Sequence, residues 1–169
     1  MKFFLGIRIP KELEETCERY RRAFKAPKTI THITVVPPFA WDKSAQDLLK
    51  LLEMSLTEVQ PFEVSGAGIG SFGNRVLFVN VTLSPKLDTM QKTLTLGLKN
   101  EGISVDSRPY HPHITLATRL DSKHFTKFKE ALGDFSPEYS FPFSHLSVFQ
   151  FTDAGRWDEW QKVPLGDSL

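Results

Sequence analysis

Two short stretches decide the reading of this chain: His32-Ile33-Thr34-Val35, and His113-Ile114-Thr115-Leu116 within the longer run Arg108-Pro109-Tyr110-His111-Pro112-His113-Ile114-Thr115-Leu116. They lie 81 residues apart, and other matches share that displacement without a gap: Leu51 with Leu132, Pro61-Phe62 with Pro142-Phe143, and Arg75 with Arg156. Upstream, Pro10 and Pro85 open equivalent helical stretches at an offset of 75, so about six residues were gained or lost before the second motif. The chain reads as two fused copies of strand, helix, strand, helix, strand, roughly 1–72 and 73–169, and not as a solenoid.

Outward from the motifs, periodicity assigns the elements. Phe3, Leu5, Ile7 and Ile9 alternate with Phe4, Gly6 and Arg8, the pattern of a strand packed on one face, and Pro10 ends it. Leu13, Cys17, Tyr20 and Phe24 recur at helical spacing over 11–24, which makes Cys17 a core residue with nothing beside it to stabilise a thiolate. A strand over 29–36 ends at Pro37-Pro38, and a helix over 43–59 follows. Strands over 62–72 and 76–83 flank Gly73-Asn74, a helix runs from Pro85 to Asn100, and a strand covers 110–118. A helix over 122–132 and a hairpin within 143–165 around Asp153-Ala154-Gly155 complete the second copy. The expected fold is α+β and bilobal, with two antiparallel-rich sheets lining a central cleft and helices outside.

Composition narrows the classes. With 169 residues, 40% apolar and 24% charged, the chain can bury a core of its own. A formal charge of +1 argues against a broad footprint for duplex nucleic acid, while a small or single-stranded anion remains compatible. The single cysteine excludes an intramolecular disulfide framework and fits a reducing cytoplasm. The run Phe3-Phe4-Leu5-Gly6-Ile7 is too short for a signal-peptide core, and no stretch approaches membrane-spanning length, so no targeting or membrane segment is expected. The chain is expected to act as a monomer.

The motifs carry a specific chemistry. Residues i and i+2 of a strand share a face, so His32 lies beside Thr34 and His113 beside Thr115, with Ile33, Val35, Ile114 and Leu116 turned the other way. Duplication places the two pairs at related positions across one cleft. Two imidazoles flanking a phosphorus suit in-line phosphodiester cleavage, one taking a proton from water and the other giving one to the departing alkoxide. The threonine hydroxyls can donate to the non-bridging oxygens. This scheme needs no metal and no other cofactor, and no carboxylate cluster with the spacing of a two-metal phosphoesterase is present in the sequence.

On these residues the sequence resembles the 2H phosphoesterase superfamily, in particular its 2′-5′ RNA ligase-like and cyclic phosphodiesterase branch, over nearly the whole chain. The resemblance implies metal-independent cleavage of 2′,3′-cyclic phosphates on nucleotides or single-stranded RNA ends, with 2′-5′ ligation as the reverse reaction. It implies His32 as proton donor, His113 as proton acceptor, and Thr34 and Thr115 as phosphate-holding residues. Many relatives carry an arginine close behind the second motif, which makes Arg119 a further candidate for phosphate contact. After the first motif, the run Val36-Pro37-Pro38-Phe39 differs from the residues found at that place in several relatives known for RNA-end processing.

Other features read more plainly. Phe39, Phe149 and Trp157 are candidates for stacking a base, among 14 Phe and 3 Trp that mostly fill core or rim. His111 shares a strand face with His113 and could form a metal pair, but no third ligand is apparent and Ile30 stands at its place in the first copy. Arg75 and Arg156 suit hairpin turns, and the basic run Arg19, Arg21, Arg22, Lys25 and Lys28, interleaved with glutamates, suits a solvated helix surface. Gly66-Ala67-Gly68-Ile69-Gly70 has no helix after it, so strand glycines allowing close backbone approach fit better than a phosphate loop. The competing class is a nucleotide- or RNA-binding module without turnover, against which the paired titratable groups speak.

Overall fold

Strand alternation sorts the side chains of this computed structural model, which describes residues 1–166. In β1 (Lys2–Arg8), Phe3, Leu5 and Ile7 are 0% exposed and enter the core, while Phe4, Gly6 and Arg8 take the other face. β2 (His32–Ala40) and β6 (His113–Ala117) divide the same way: Ile33, Val35, Ile114 and Leu116 are buried, and the histidines and threonines between them are half-buried opposite. α1 (Lys11–Ala23), α2 (Ala45–Leu56), α3 (Pro85–Asn100) and α4 (Ser122–Leu132) contribute to the same core. Three of them start on side-chain caps. Ser44, Ser84 and Asp121 accept from the backbone N–H groups of Asp47, Leu87 and His124 at 3.1, 3.2 and 2.8 Å. Among the described residues no helix is long and apolar enough to cross a membrane.

The remaining strands are β3 (Phe62–Ala67), β4 (Ile69–Phe72), β5 (Val76–Asn80), β7 (Glu138–Phe143), β8 (His145–Phe151) and β9 (Trp157–Pro164). They complete an α+β fold with a seven-stranded sheet, β4-β5-β6-β2-β1-β8-β9, and a two-stranded sheet, β3-β7, all antiparallel. Exchanging β1, β2, β3 and β4 for β5, β6, β7 and β8 reverses the strand order of the large sheet and, β9 apart, leaves it unchanged. Two residue pairs mark the axis of that exchange. Ile33 pairs with Ile114 and Phe62 with Phe143, each residue facing its own counterpart 81 positions away.

The element boundaries differ from the sequence reading in places with physical causes. β2 does not stop at Pro37-Pro38 but runs on to Ala40. Its register on β1 jumps from Leu5↔Val36 to Phe3↔Phe39, so a bulge absorbs the residues that lack an N–H. The stretch 62–72 is two strands in two different sheets, parted at Gly68, whose φ of +81° is a conformation that side-chain-bearing residues rarely adopt. β6 begins only at His113, because the preceding segment carries Pro109 and Pro112 and cannot supply a full ladder. β7, which periodicity does not mark out as a separate strand, pairs with β3 and supplies Phe141 and Phe143 to the core.

Candidate active site

The bridge Ile33↔Ile114 is the one register pair that joins β2 to β6. In an antiparallel pair the neighbours on either side also face each other, so His32 stands opposite Thr115 and Thr34 opposite His113, all four on the face away from the core. Cross-strand neighbours of this kind have Cβ atoms about 5 Å apart. The flanking registers extend this into two rows across the sheet: Arg8, His32, Thr115 and Phe78, then Gly6, Thr34, His113 and Asn80.

Both imidazoles are held in the same way. Nδ1 of His32 donates to the carbonyl of Ile30 at 2.6 Å, and Nδ1 of His113 to that of His111 at 2.8 Å. A carbonyl oxygen can only accept, so the ring proton sits on Nδ1 and each neutral ring offers its Nε2 lone pair away from the backbone. The Thr34 hydroxyl lies 3.2 Å from Nε2 of His32, where it can donate. Each ring also packs against two phenylalanines: His32 against Phe4 and Phe149, with centroids at 4.8 and 5.4 Å, and His113 against Phe72 and Phe78, both at 5.0 Å. Burial pushes His32 down from the usual imidazole value to about 4, against the opposing pull of the Ile30 carbonyl, and the charges of Arg21, His113 and Arg8 add to the depression. His113 is lowered for the same main reason, opposed by its bond to His111.

Several supporting residues lie outside the sequence reading. Arg8, beside His32, donates to Glu159 at 3.1 Å and Glu14 at 3.2 Å, and Glu159 accepts from the buried Ser147 hydroxyl at 2.5 Å. Arg21, expected on a solvated surface, is only 6% exposed. Its guanidinium pairs with Glu18 and donates to the Thr29 and Pro27 carbonyls at 2.9 and 2.8 Å and to the Thr31 hydroxyl at 2.9 Å. It thereby fastens the segment that presents the Ile30 carbonyl to His32. Tyr110 ties the approach to the second motif onto the first, donating to the Thr34 carbonyl at 2.9 Å. Alternation in β1 signals Phe4 and Arg8 as cleft-facing, whereas nothing local distinguishes Arg21 from Arg19 or Arg22.

The other expected residues separate. Phe39 is 4% exposed and packs on Phe3 at 6.4 Å in the core, so it offers no stacking surface; the bulge at the prolines turns it to that side. Phe149 is 0% exposed and stacks on Phe4 at 4.4 Å, which makes it a support for the His32 ring. Trp157 is half-buried, edge-on to Phe4 at 5.0 Å. Arg119 is exposed at a φ of +56°. Arg75 and Arg156 sit at the β4–β5 and β8–β9 turns, where the Arg75 carbonyl accepts from Leu120 at 3.0 Å and the Arg156 carbonyl from Thr152 at 2.8 Å. His111 and His113 have ring centroids 6.4 Å apart, and among the described residues no three metal-ligating side chains converge. Gly66 is required by close approach, since a Cβ there would lie 2.1 Å from the Asn80 carbonyl oxygen. Thr34 and His113 open onto a cavity of about 410 Å³, walled by Pro37, Phe72, Tyr110 and His111 and by the polar residues Gln91, Asp106 and Arg108. Cys17 is fully buried, and burial pushes its thiol up to about 12.

A duplicated antiparallel α+β fold whose middle strands each carry His-x-Thr onto one face defines the class of the 2H phosphoesterases. The model of the 2′-5′ RNA ligase superfamily matches residues 9–155, and the chain belongs to that family. It is 30% identical to an RNA 2′,3′-cyclic phosphodiesterase of Bacillus subtilis, across 69% of this chain and 70% of that protein. It is 26% identical to a protein of the same name from Methanocaldococcus jannaschii, across 90% and 92%. Its fold matches the crystal structure of TT0787 of Thermus thermophilus, with a TM-score of 0.70 at 19% identity over 99% of this chain and all of that one. Escherichia coli LigT complexed with 3′-AMP matches with a TM-score of 0.68 at 21% identity over 97% of each chain.

Proposed function

We propose that this chain hydrolyses 2′,3′-cyclic phosphates of nucleotides or RNA ends by two-histidine acid–base catalysis. The observation that carries this reading is the Ile33↔Ile114 bridge, which sets two imidazoles and two hydroxyls around one space, each histidine opposite the threonine of the other motif. The names of the Bacillus and Methanocaldococcus relatives support the substrate class, as do the LigT structures with 3′-AMP and with phosphate.

A phosphate between Nε2 of His32 and Nε2 of His113 receives hydrogen bonds from the Thr34 and Thr115 hydroxyls on its non-bridging oxygens, where charge accumulates during displacement. In the order implied by the resemblance, His113 takes a proton from water as the new P–O bond forms. His32 gives a proton to the ribose oxygen as the old P–O bond breaks, leaving a phosphomonoester and a free hydroxyl. Because burial holds His32 near 4, its donor role requires the charge of the bound phosphodiester to raise it. With the 5′-hydroxyl of a second strand in place of water, the same proton transfers form a P–O5′ bond, break the P–O3′ bond and leave a 2′-5′ linkage, and excess water favours hydrolysis. Arg119 and Trp157 complete the assignment, Arg119 drawing in the anion and Trp157, at the His32 end, stacking on the base of a neighbouring nucleotide when the substrate is an RNA end.

The test is turnover of 2′,3′-cyclic nucleotides and of a short RNA ending in a cyclic phosphate, in EDTA, by the wild type, His32→Ala and His113→Ala. Turnover in chelator that both substitutions abolish without unfolding the protein is expected. Tight binding with no turnover would favour a recognition module, and activity surviving both substitutions would move the chemistry elsewhere.

A further inference from the structure

The four motif residues are arranged symmetrically, but the space around them is not. At the His32 end, Phe4 and Phe149 pack against the ring, stacked on each other at 4.4 Å with an interplanar angle of 4°, and they are 4% and 0% exposed. At the Thr34–His113 end a cavity of about 410 Å³ opens, within the size range of small-molecule sites and larger than a lone phosphate needs. Resting on the phosphodiesterase reading, we propose that this cavity seats the base of the nucleotide whose phosphate lies between the histidines, with the Asp106–Arg108 pair reading the base edge.

Two features of the lining point to a heterocycle. The first is an aromatic and apolar frame. Phe72 is 38% exposed at the end of β4, edge-on to His111 at 4.9 Å and to His113 at 5.0 Å, so one part of its ring holds the catalytic imidazole while the rest is left for a ligand. Pro37 and Tyr110 supply further flat apolar surface. A base offers a π-face that such a frame can cover.

The second feature is the polar edge. The Asp106 carboxylate is pinned by the Arg108 backbone N–H at 2.9 Å and by the Arg108 guanidinium at 2.5 to 3.1 Å. These bonds hold its acid down at about 2, so it stays an acceptor at any working pH. Both carboxylate oxygens are thus taken by Arg108, and the carboxylate aims the exposed guanidinium, whose Nη1 and remaining Nη2 N–H groups are left for acceptors on a ligand. Gln91 on α3 adds an amide, whose nitrogen donates to Thr95 at 3.2 Å, and its carbonyl oxygen is an acceptor. Guanine presents O6 and N7 as adjacent acceptors that match two guanidinium N–H groups. Uracil presents no adjacent pair of acceptors, its two carbonyls being separated by an N–H. The cavity therefore favours guanine over uracil.

The test compares guanosine 2′,3′-cyclic phosphate, uridine 2′,3′-cyclic phosphate and the base-less ribose 2,3-cyclic phosphate on the wild type, Asp106→Asn and Gln91→Ala. The expected order of kcat/KM is guanosine, uridine, ribose, with the first exceeding the last at least about tenfold, equivalent to about 1.4 kcal/mol. Asp106→Asn is expected to shrink the guanosine-to-uridine ratio severalfold, and Gln91→Ala to lower both nucleotides relative to the base-less sugar. Equal kcat/KM on all three substrates, or a guanosine-to-uridine ratio untouched by Asp106→Asn, would overturn the assignment. Turnover of none of them would instead remove the phosphodiesterase reading. Binding then decides the cavity separately: guanosine 3′-phosphate should bind more tightly than ribose 3-phosphate and shift the His111 ring resonances, and equal affinities would overturn the proposal.

Discussion

The two ends of the cleft share one strand geometry and differ in their surroundings. His32 and His113 hang from equivalent strands, each gives its Nδ1 proton to the carbonyl two residues before it, and each rests on two phenylalanines. Yet His32 has Arg8 beside it in the sheet and two buried, mutually stacked phenylalanines, whereas His113 has Asn80 beside it and an open cavity. Duplication of strand geometry accounts for what the rings can do. Their neighbours account for when each ring is charged and which of them has room for a ligand.

The largest effect that would break the comparison is loss of either ring. His32→Ala and His113→Ala are each expected to lower kcat by about 10²–10⁴, read by chromatography of the phosphomonoester product. The two losses should separate on a linear nucleoside 4-nitrophenyl phosphodiester, whose leaving group needs no proton. With His32 as donor, most of the His32→Ala defect disappears there and that of His113→Ala persists; equal defects on both substrates would contradict the roles.

The next effect is on stability. A histidine whose folded pKa is depressed resists protonation, so the unfolded chain binds more protons between the two values. Stability is then complete above about pH 6.5 and falls as pH drops towards about 4. A shift of this size is worth at most about 3 kcal/mol, with partial solvent access reducing it. Urea titrations across pH 4 to 7 should show this loss, His32→Phe should remove most of it, and His113→Phe a smaller part. Thr34→Val and Thr115→Val are expected to reduce kcat by about 10² each, the cost of one donor to developing phosphate charge, with little change in fold or melting temperature. Arg119→Ala should do least, raising KM a fewfold without touching kcat, and that increase should vanish at high salt.

Much of this is legible in the sequence where local rules govern. The helices over 85–100 and 122–132 appear as their apolar spacing and caps require, and the doubled His-x-Thr by itself sets four side chains on one strand face. What escapes depends on long-range packing. A lone Gly68 splits one apolar stretch between two sheets, a change of direction that alternation cannot express. Phe39 and Phe149 look alike as aromatic strand residues, but a bulge sends one to the core and β8 pairing brings the other under His32. Arg21 is buried because the loop carbonyls of Pro27 and Thr29 need donors, a demand that arises only when the loop closes on α1.

The most direct test of equal rings in unequal surroundings is a pH titration of both imidazoles, read by ¹⁵N NMR in the ligand-free protein. Two Nδ1–H tautomers are expected, with His32 titrating at about 4 and His113 below the usual imidazole value. Two rings titrating together at about 6.5, or carrying their protons on Nε2, would mean that the two ends of the cleft do not differ as described.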